Sequence, residues 1–132
     1  MRPTSLKDAV DRIIHGTSAS IALNEFLDEF YLSRERQGMI HEEPGLTGVA
    51  RQDAYVGAMA EHLARRWGLV MPGWADDPRR FLDSPYFVDN LQLMKPVLLR
   101  DSPIAFRRRL IFTEAEPLRR ARFPRAEVAQ EP

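Results

Sequence analysis

From Ser20 to Ser33 the chain sets Leu23, Phe26, Leu27, Phe30 and Tyr31 at i, i+3, i+4, i+7 and i+8, with Asn24, Glu25, Asp28 and Glu29 opposite them. That spacing gathers five large apolar side chains on one stripe of a helix, whereas a strand, alternating with period two, would scatter them over both faces. The same period returns from near Val49 to Trp67 through Tyr55, Val56, Met59, Leu63 and Trp67. It stops at Gly68, with Arg65 and Arg66 placed favourably near the negative end of the helix dipole. Each stripe must be covered by another element, and no part of the chain alternates convincingly enough to supply a sheet. The pattern predicts a mainly α fold, a single compact bundle of about five to six helices.

Shorter signals fill in the order. Ser5 precedes Leu6, Val10, Ile13 and Ile14, spaced for one helical face, with Asp8 three residues on as in a capping box and Gly16 as a stop. Residues 34–48, RERQGMIHEEPGLTG, hold three glycines and a proline without a period and read as a long loop. After the connector LVMPGWADDP, Asp77 caps a short turn opened by Pro78. LDSPYF at 82–87 and RDSPIAF at 100–106 each place Ser before Pro, an N-cap followed by proline at the first helical position. They predict one helix from Pro85 to about Arg100, kinked or divided at Lys95 by Pro96, and another from Pro103. Within SPYFVDNLQLM, Phe87, Leu91 and Met94 are expected to be buried and Tyr86 to sit at the rim. Leu110, Ile111 and Phe112 either finish the last helix or form a short extended segment, mostly helix being expected. Thr113 with Glu116 resembles a further cap. Residues 1–122 thus read as one helical domain, and 123–132 as a tail with too few apolar groups to offset its ordering entropy.

Composition limits what such a bundle does. Of 132 residues 44% are hydrophobic and 29% charged, as in a globular domain, and no stretch approaches the roughly 18 apolar residues that a bilayer needs. MRPTSLKDAV lacks the apolar segment of a signal peptide, so a cytoplasmic location is expected. With no cysteine there are no disulfides, thiol nucleophiles or thiolate metal sites. Only Lys7 and Lys95 are lysine among 19 basic residues, a bias that GC-rich bacterial coding produces. A net charge of zero hides a gradient. Residues 1–48 carry five basic and eight acidic groups, net −3, and residues 100–125 carry eight arginines against Asp101, Glu114 and Glu116, net +5. The basic third suits an acidic partner, internal pairing, or head-to-tail self-association with the acidic third.

Arg107, Arg108 and Arg109 stand between Ile104-Ala105-Phe106 and Leu110-Ile111-Phe112. On a helix three successive residues sweep about 200° of arc, so at most two share a target. With the flanks turned inward, at least one arginine lies beside the core and needs a carboxylate or several carbonyls. An acidic residue of the second helix or the C-terminal carbonyls of a helix would serve, leaving the others to solvent or a partner. Eight arginines also suit phosphate, which makes a DNA-binding regulator the alternative. The zero net charge opposes it, as does a connector too long for a helix-turn-helix. His15, His41 and His62 occur singly, HEEPG lacks the second histidine of a zinc-protease motif, and no phosphate loop or nucleophile elbow is present. Neither a catalytic set, a metal site nor a cofactor is expected. Trp67 continues an apolar face and belongs to the core. Trp74, in PGWADD, lies off any face and either plugs the core where the third helix meets the Pro78 turn or stands as an exposed interface anchor.

A connector carrying Trp74, then LDSPYF, then SPIAFRRRLIF resembles a family of small uncharacterised bacterial proteins encoded beside predicted nucleotidyltransferases, in toxin–antitoxin-like pairs. The resemblance spans roughly residues 22–122; the family pattern prefers Trp at Tyr86 and Asn at Leu110. It implies a protein-binding role, neutralising a partner enzyme, with Trp74, Tyr86, Phe87, Arg107, Arg108 and Arg109 as candidate contacts.

Overall fold

The computed structural model describes residues 1–88 and 95–121, and helix dominates it. Six helices are present among the described residues: α1 (Leu6–Ile14), α2 (Ala19–Leu32), α3 (Arg36–His41), α4 (Ala50–Trp67), α5 (Lys95–Asp101) and α6 (Ile104–Arg107). Two 3-10 turns, Gly73–Asp76 and Pro78–Arg80, follow α4. β1 (Tyr86–Phe87) and β2 (Ile111–Phe112) form a parallel pair, Tyr86 opposite Ile111 and Phe87 opposite Phe112. The mainly α expectation holds. No helix among the described residues is long and apolar enough to cross a membrane.

Local chemistry sets the helix ends. Ser5 Oγ accepts from the Asp8 amide at 3.0 Å, and Asp8 reaches back to the Thr4 amide at 3.0 Å, so two of the unpaired N–H groups at the start of α1 find partners. Ser18 caps α2 from one side only, its Oγ accepting from the Ile21 amide at 3.5 Å. α4 has no side-chain cap at Val49. Its buried Asp53 turns back instead, accepting from the Thr47 amide and hydroxyl at 2.7 and 3.1 Å and from the Gly48 amide at 3.3 Å. Gly68 ends α4 in the left-handed region, φ 66°, which glycine enters without a steric cost.

α4 is the central element, and both 3-10 turns and α6 pack on it while α1 packs on α2 and α3. The stripe of α2 meets the far end of α4 in an aromatic cluster. Phe30 lies edge-on to Trp67 at 5.8 Å, and Tyr31 lies 5.2 Å from Trp67. The Tyr31 hydroxyl donates to the Leu118 carbonyl at 2.6 Å, which holds the chain beyond β2 against the same core.

Four sequence expectations are corrected. The loop at 34–48 contains α3, because Arg36 donates to the Phe30 and Tyr31 carbonyls at 3.0 and 2.9 Å and lies over the Phe30 and Trp67 rings, which lets Met39 and Ile40 reach the core. Ser84-Pro85 opens no helix: the Tyr86 amide donates to the Leu110 carbonyl at 2.9 Å, and that bond commits Tyr86 and Phe87 to β1. Leu91 and Met94 lie outside the described residues. Ser102 does not cap α6, whose N-cap is Pro103; its buried hydroxyl accepts from the Thr113 amide at 2.8 Å and tethers α5 to the end of β2. Thr113 is therefore held as part of that tether and starts no helix within the described residues.

Ile111-Phe112 as strand, rather than a continuation of helix, depends on Leu110, which has φ 64° and no glycine to make that comfortable. An L-residue there costs roughly 1–2 kcal/mol, and a β-branched one more. Leu110→Ile, although equal in volume, is expected to lower stability by about 1–2 kcal/mol, whereas Leu110→Gly should stay within about 1 kcal/mol of the parent because strain relief offsets lost burial. Urea denaturation of the two variants distinguishes the cases, and equal losses would contradict the strain account.

Candidate functional site

The arginine triplet divides three ways. Arg107 donates to the Arg100 and Ser102 carbonyls at 3.0 and 2.9 Å and so closes the C-terminal end of α5. Arg108 and Arg109 share one acceptor, Glu61 Oε1, at 2.8 and 2.7 Å. The acid therefore comes from α4, not from α2, and all three arginines are held internally, where two were expected to face solvent or a partner. Arg65 completes the carboxylate by donating to Oε2 at 2.8 Å from one turn along α4.

Glu61 and Arg109 have no solvent-accessible side chain. Arg109 also donates to the Ala105 and Ala75 carbonyls, each at 2.7 Å, and its guanidinium lies 4.5 Å from the centre of the Phe81 ring. Arg108, with 35% of its side chain exposed, bonds Asp76 as well and lies 5.0 Å from the same ring. A second buried arginine, Arg80, donates to the Pro44 carbonyl at 2.7 Å, stands 4.0 Å from Asp53 and lies over Trp74 at 5.1 Å. Gly57 makes both arginines fit: a Cβ there would fall 2.9 Å from Arg80 Cβ and 3.1 Å from Arg109 Nε.

Burial alone would raise the Glu61 pKa. The bonds from Arg109, Arg108 and Arg65 overcome it and hold the carboxyl at about 2, well below its ordinary 4.5. Burial pulls Arg109 below its ordinary value while Glu61 opposes that shift, and a guanidinium remains charged at neutral pH either way. His62 is neutral. Burial, then Arg66, depress it from 6.5 to about 4, and its ring meets Phe106 edge-on at 5.6 Å. A carboxylate saturated by three arginines is a poor proton acceptor, so this cluster is a lock between α4, the first 3-10 turn and the α6 segment.

The remaining sequence-derived contacts are placed as follows. Trp74 is half-buried, donates from Nε1 to the Ile40 carbonyl at 3.2 Å and stacks with Arg80, so it faces inward and is not an exposed anchor. Phe87 is half-buried, stacks on Phe112 at 5.1 Å and has Lys95 Nζ 4.9 Å from its ring centre. Tyr86 borders an open groove of about 250 Å³ between the first turns of α2 and α4. Leu23, Tyr55 and Val88 supply its apolar wall, and Arg51 lies 5.7 Å from the centre of the Tyr86 ring. Of the six candidates, Tyr86 lines this groove; Arg108 keeps a third of its side-chain surface, and Arg109 is sealed.

Glu61, Arg80, Gly57 and Arg51 were not among the residues singled out from sequence. The available signal was Ala54, Gly57, Ala58, Ala60, Glu61 and Ala64, a run of small residues around one acid on a helix otherwise rich in large apolar groups. Small residues that become buried leave room for something long to enter. Comparison of the chain with protein-family models, with curated proteins and with solved structures finds no match.

Two outcomes test the lock. Removing one partner of a buried ion pair strands the other, at a cost of about 3–5 kcal/mol, while replacing both with apolar groups is far cheaper. Glu61→Leu and Arg109→Met should each be severely destabilising, and the double variant should lose clearly less than the two losses added; additive losses in a thermodynamic cycle would dismiss the coupling. The second outcome concerns acid. His62 has a folded pKa below its unfolded value, so its contribution is complete above pH 6.5 and disappears as pH falls through about 4. Glu61 follows from 4.5 down through about 2. Urea midpoints of the parent should decline between pH 6.5 and 4.5, and His62→Phe should flatten that limb. An unchanged slope in the variant would place the loss elsewhere.

Proposed function

We propose that this chain is a non-catalytic helical protein-binding module of the cytoplasm, an antitoxin-like partner that neutralises a nucleotidyltransferase-like enzyme encoded beside it. The observation that carries the protein-binding part is the groove at Tyr86: an aromatic side chain held by a backbone bond at β1, stacked with an arginine, over a mostly apolar hollow. Tyrosine and arginine on a rigid support are the side chains that dominate binding energy at protein interfaces. At about 250 Å³ the hollow falls below the ~300–1,000 Å³ of cofactor and small-molecule sites, which suits one or two side chains of a partner. The antitoxin-like part rests on the resemblance carried by LDSPYF and SPIAFRRRLIF.

The alternative, DNA binding through the basic C-terminal third, has fewer cations to draw on than composition suggests. Arg107, Arg108 and Arg109 are committed to carbonyls and carboxylates, Arg100 pairs with Asp101, and Arg120 forks onto Asp28 at 2.9 and 3.1 Å. Arginines already neutralised release few counterions on meeting phosphate.

Co-expression with the tagged product of the adjacent gene, followed by light scattering of the eluted material at high salt, should give a stoichiometric complex. Tyr86→Ala should weaken it by at least about tenfold, the scale of an interface anchor, while leaving the far-ultraviolet circular dichroism unchanged. A tagged neighbour that elutes alone would defeat the proposal, and a steeply salt-dependent gel shift with promoter DNA would put the alternative in its place.

A further inference from the structure

The groove has an electrostatic character that its apolar wall conceals. Its lining residues are Ala19, Ser20, Leu23 and Asn24 from α2, Arg51, Gln52 and Tyr55 from α4, and Tyr86 and Val88. Arg51 is the single charge in that set. Unlike Arg108 or Arg120, it makes no ion pair among the described residues; its guanidinium only overlies Tyr86.

No nearby carboxylate along the same two turns offsets it. The first turn of α2 has no acidic residue. The first turn of α4 has one, Asp53, but that carboxylate is buried, points back to the Thr47 and Gly48 amides, and stands 4.0 Å from Arg80. Both helices also direct the positive ends of their dipoles toward this region, which strengthens the preference for a negative group. Apolar surface continues at the edge, where Ile21 and Val49, members of the same two turns, are 55% and 41% exposed. A larger hollow, about 500 Å³ beside the N-terminus, is different in kind: residues 1–4 form part of its wall, and its Glu29 is already paired with Arg2 at 3.4 Å.

We infer that this groove takes a segment of a protein partner in which an acidic side chain adjoins an apolar one, the carboxylate meeting Arg51 and the apolar group seated on Leu23, Tyr55 and Val88. Arg51 is then the specificity residue and Tyr86 the platform that orients it, since stacking fixes the plane of the guanidinium for a two-pronged contact with carboxylate. This deepens the protein-binding reading and rests on it.

The probe is a displayed library of random heptapeptides selected on the full chain, with each enriched peptide then titrated against the parent and Arg51→Gln. The expected result is enrichment of Asp or Glu beside Leu, Ile, Val, Met or Phe, with affinity at least about tenfold lower for Arg51→Gln, the loss expected for a charged contact. Arg51 is exposed and makes no hydrogen bond among the described residues, so its thermal midpoint should match the parent and a lost fold will not imitate lost binding. Peptides that bind both proteins equally, peptides without an acidic residue, or no enrichment at all would overturn the assignment. The complex with the adjacent gene product is read independently, so failure of the groove and failure of the protein-binding reading are told apart.

Discussion

The structure turns on one buried carboxylate. Glu61 sits on the central helix with three guanidinium groups around it, two from the segment following α6 and one from its own helix. A buried carboxylate on its own is costly enough to keep its proton or unfold the site. Surrounded in this way it stays ionised, and the same bonds attach a distant part of the chain to the face of α4. The attachment is directional. An apolar contact would accept α6 in several rotations, but two arginines converging on one oxygen, with the Ala105 and Ala75 carbonyls taking two further bonds from Arg109, accept few.

That arrangement explains the odd composition of α4. A central helix would ordinarily present Leu and Ile to its neighbours, yet this one presents Ala54, Gly57, Ala58, Ala60 and Ala64, all buried. At Gly57 the space is taken by Arg80 and Arg109, whose stems pack there and whose heads reach carbonyls on the far side. Phe81 and Trp74 cover the guanidinium faces, which present no hydrogen-bond donors and pack well on rings. Part of the core is thus made of arginine, with Gly57 as the point of closest approach.

Legibility from sequence followed how local each determinant was. Periodicity in α2 and α4, the Ser5 cap and the Gly68 stop act within a few residues and could be read directly. That at least one arginine of the triplet must be held internally, by an acid or by helix carbonyls, followed from arc and desolvation alone; that all three are so held did not. Which acid could not follow, because Glu61 and Arg109 are 48 residues apart and any of several carboxylates satisfied the same requirement. Ser84-Pro85 and Ser102-Pro103 show the complementary failure. The first loses its helix to the bond from the Tyr86 amide to Leu110; the second keeps its helix, α6, but loses the Ser102 cap, whose hydroxyl is taken by the Thr113 amide. Leu110 was a missed backbone feature rather than a missed contact. Asn or Gly enters the left-handed region more easily than Leu, so nothing local in the sequence announces the positive φ of Leu110.

Internal commitment of charge also decides where recognition can occur. An arginine bound to two carbonyls or to a buried carboxylate must give up those bonds before it serves a partner, and the exchange gains little. The basic stretch from 100 to 120 looks like an interaction surface in one dimension, yet in three it is largely the fold's own fastening. Arg51 sits in the opposite situation: it lies in an unremarkable part of the sequence, and the fold places it beside an aromatic ring and an apolar hollow, with no ion pair among the described residues. Tyr86 links the two regions, because the backbone bond that holds it comes from Leu110, immediately after the arginines locked on Glu61. The rigidity that the buried pair gives to residues 105–112 is therefore passed to the side chain that borders the groove, and the lock and the groove are successive parts of one support.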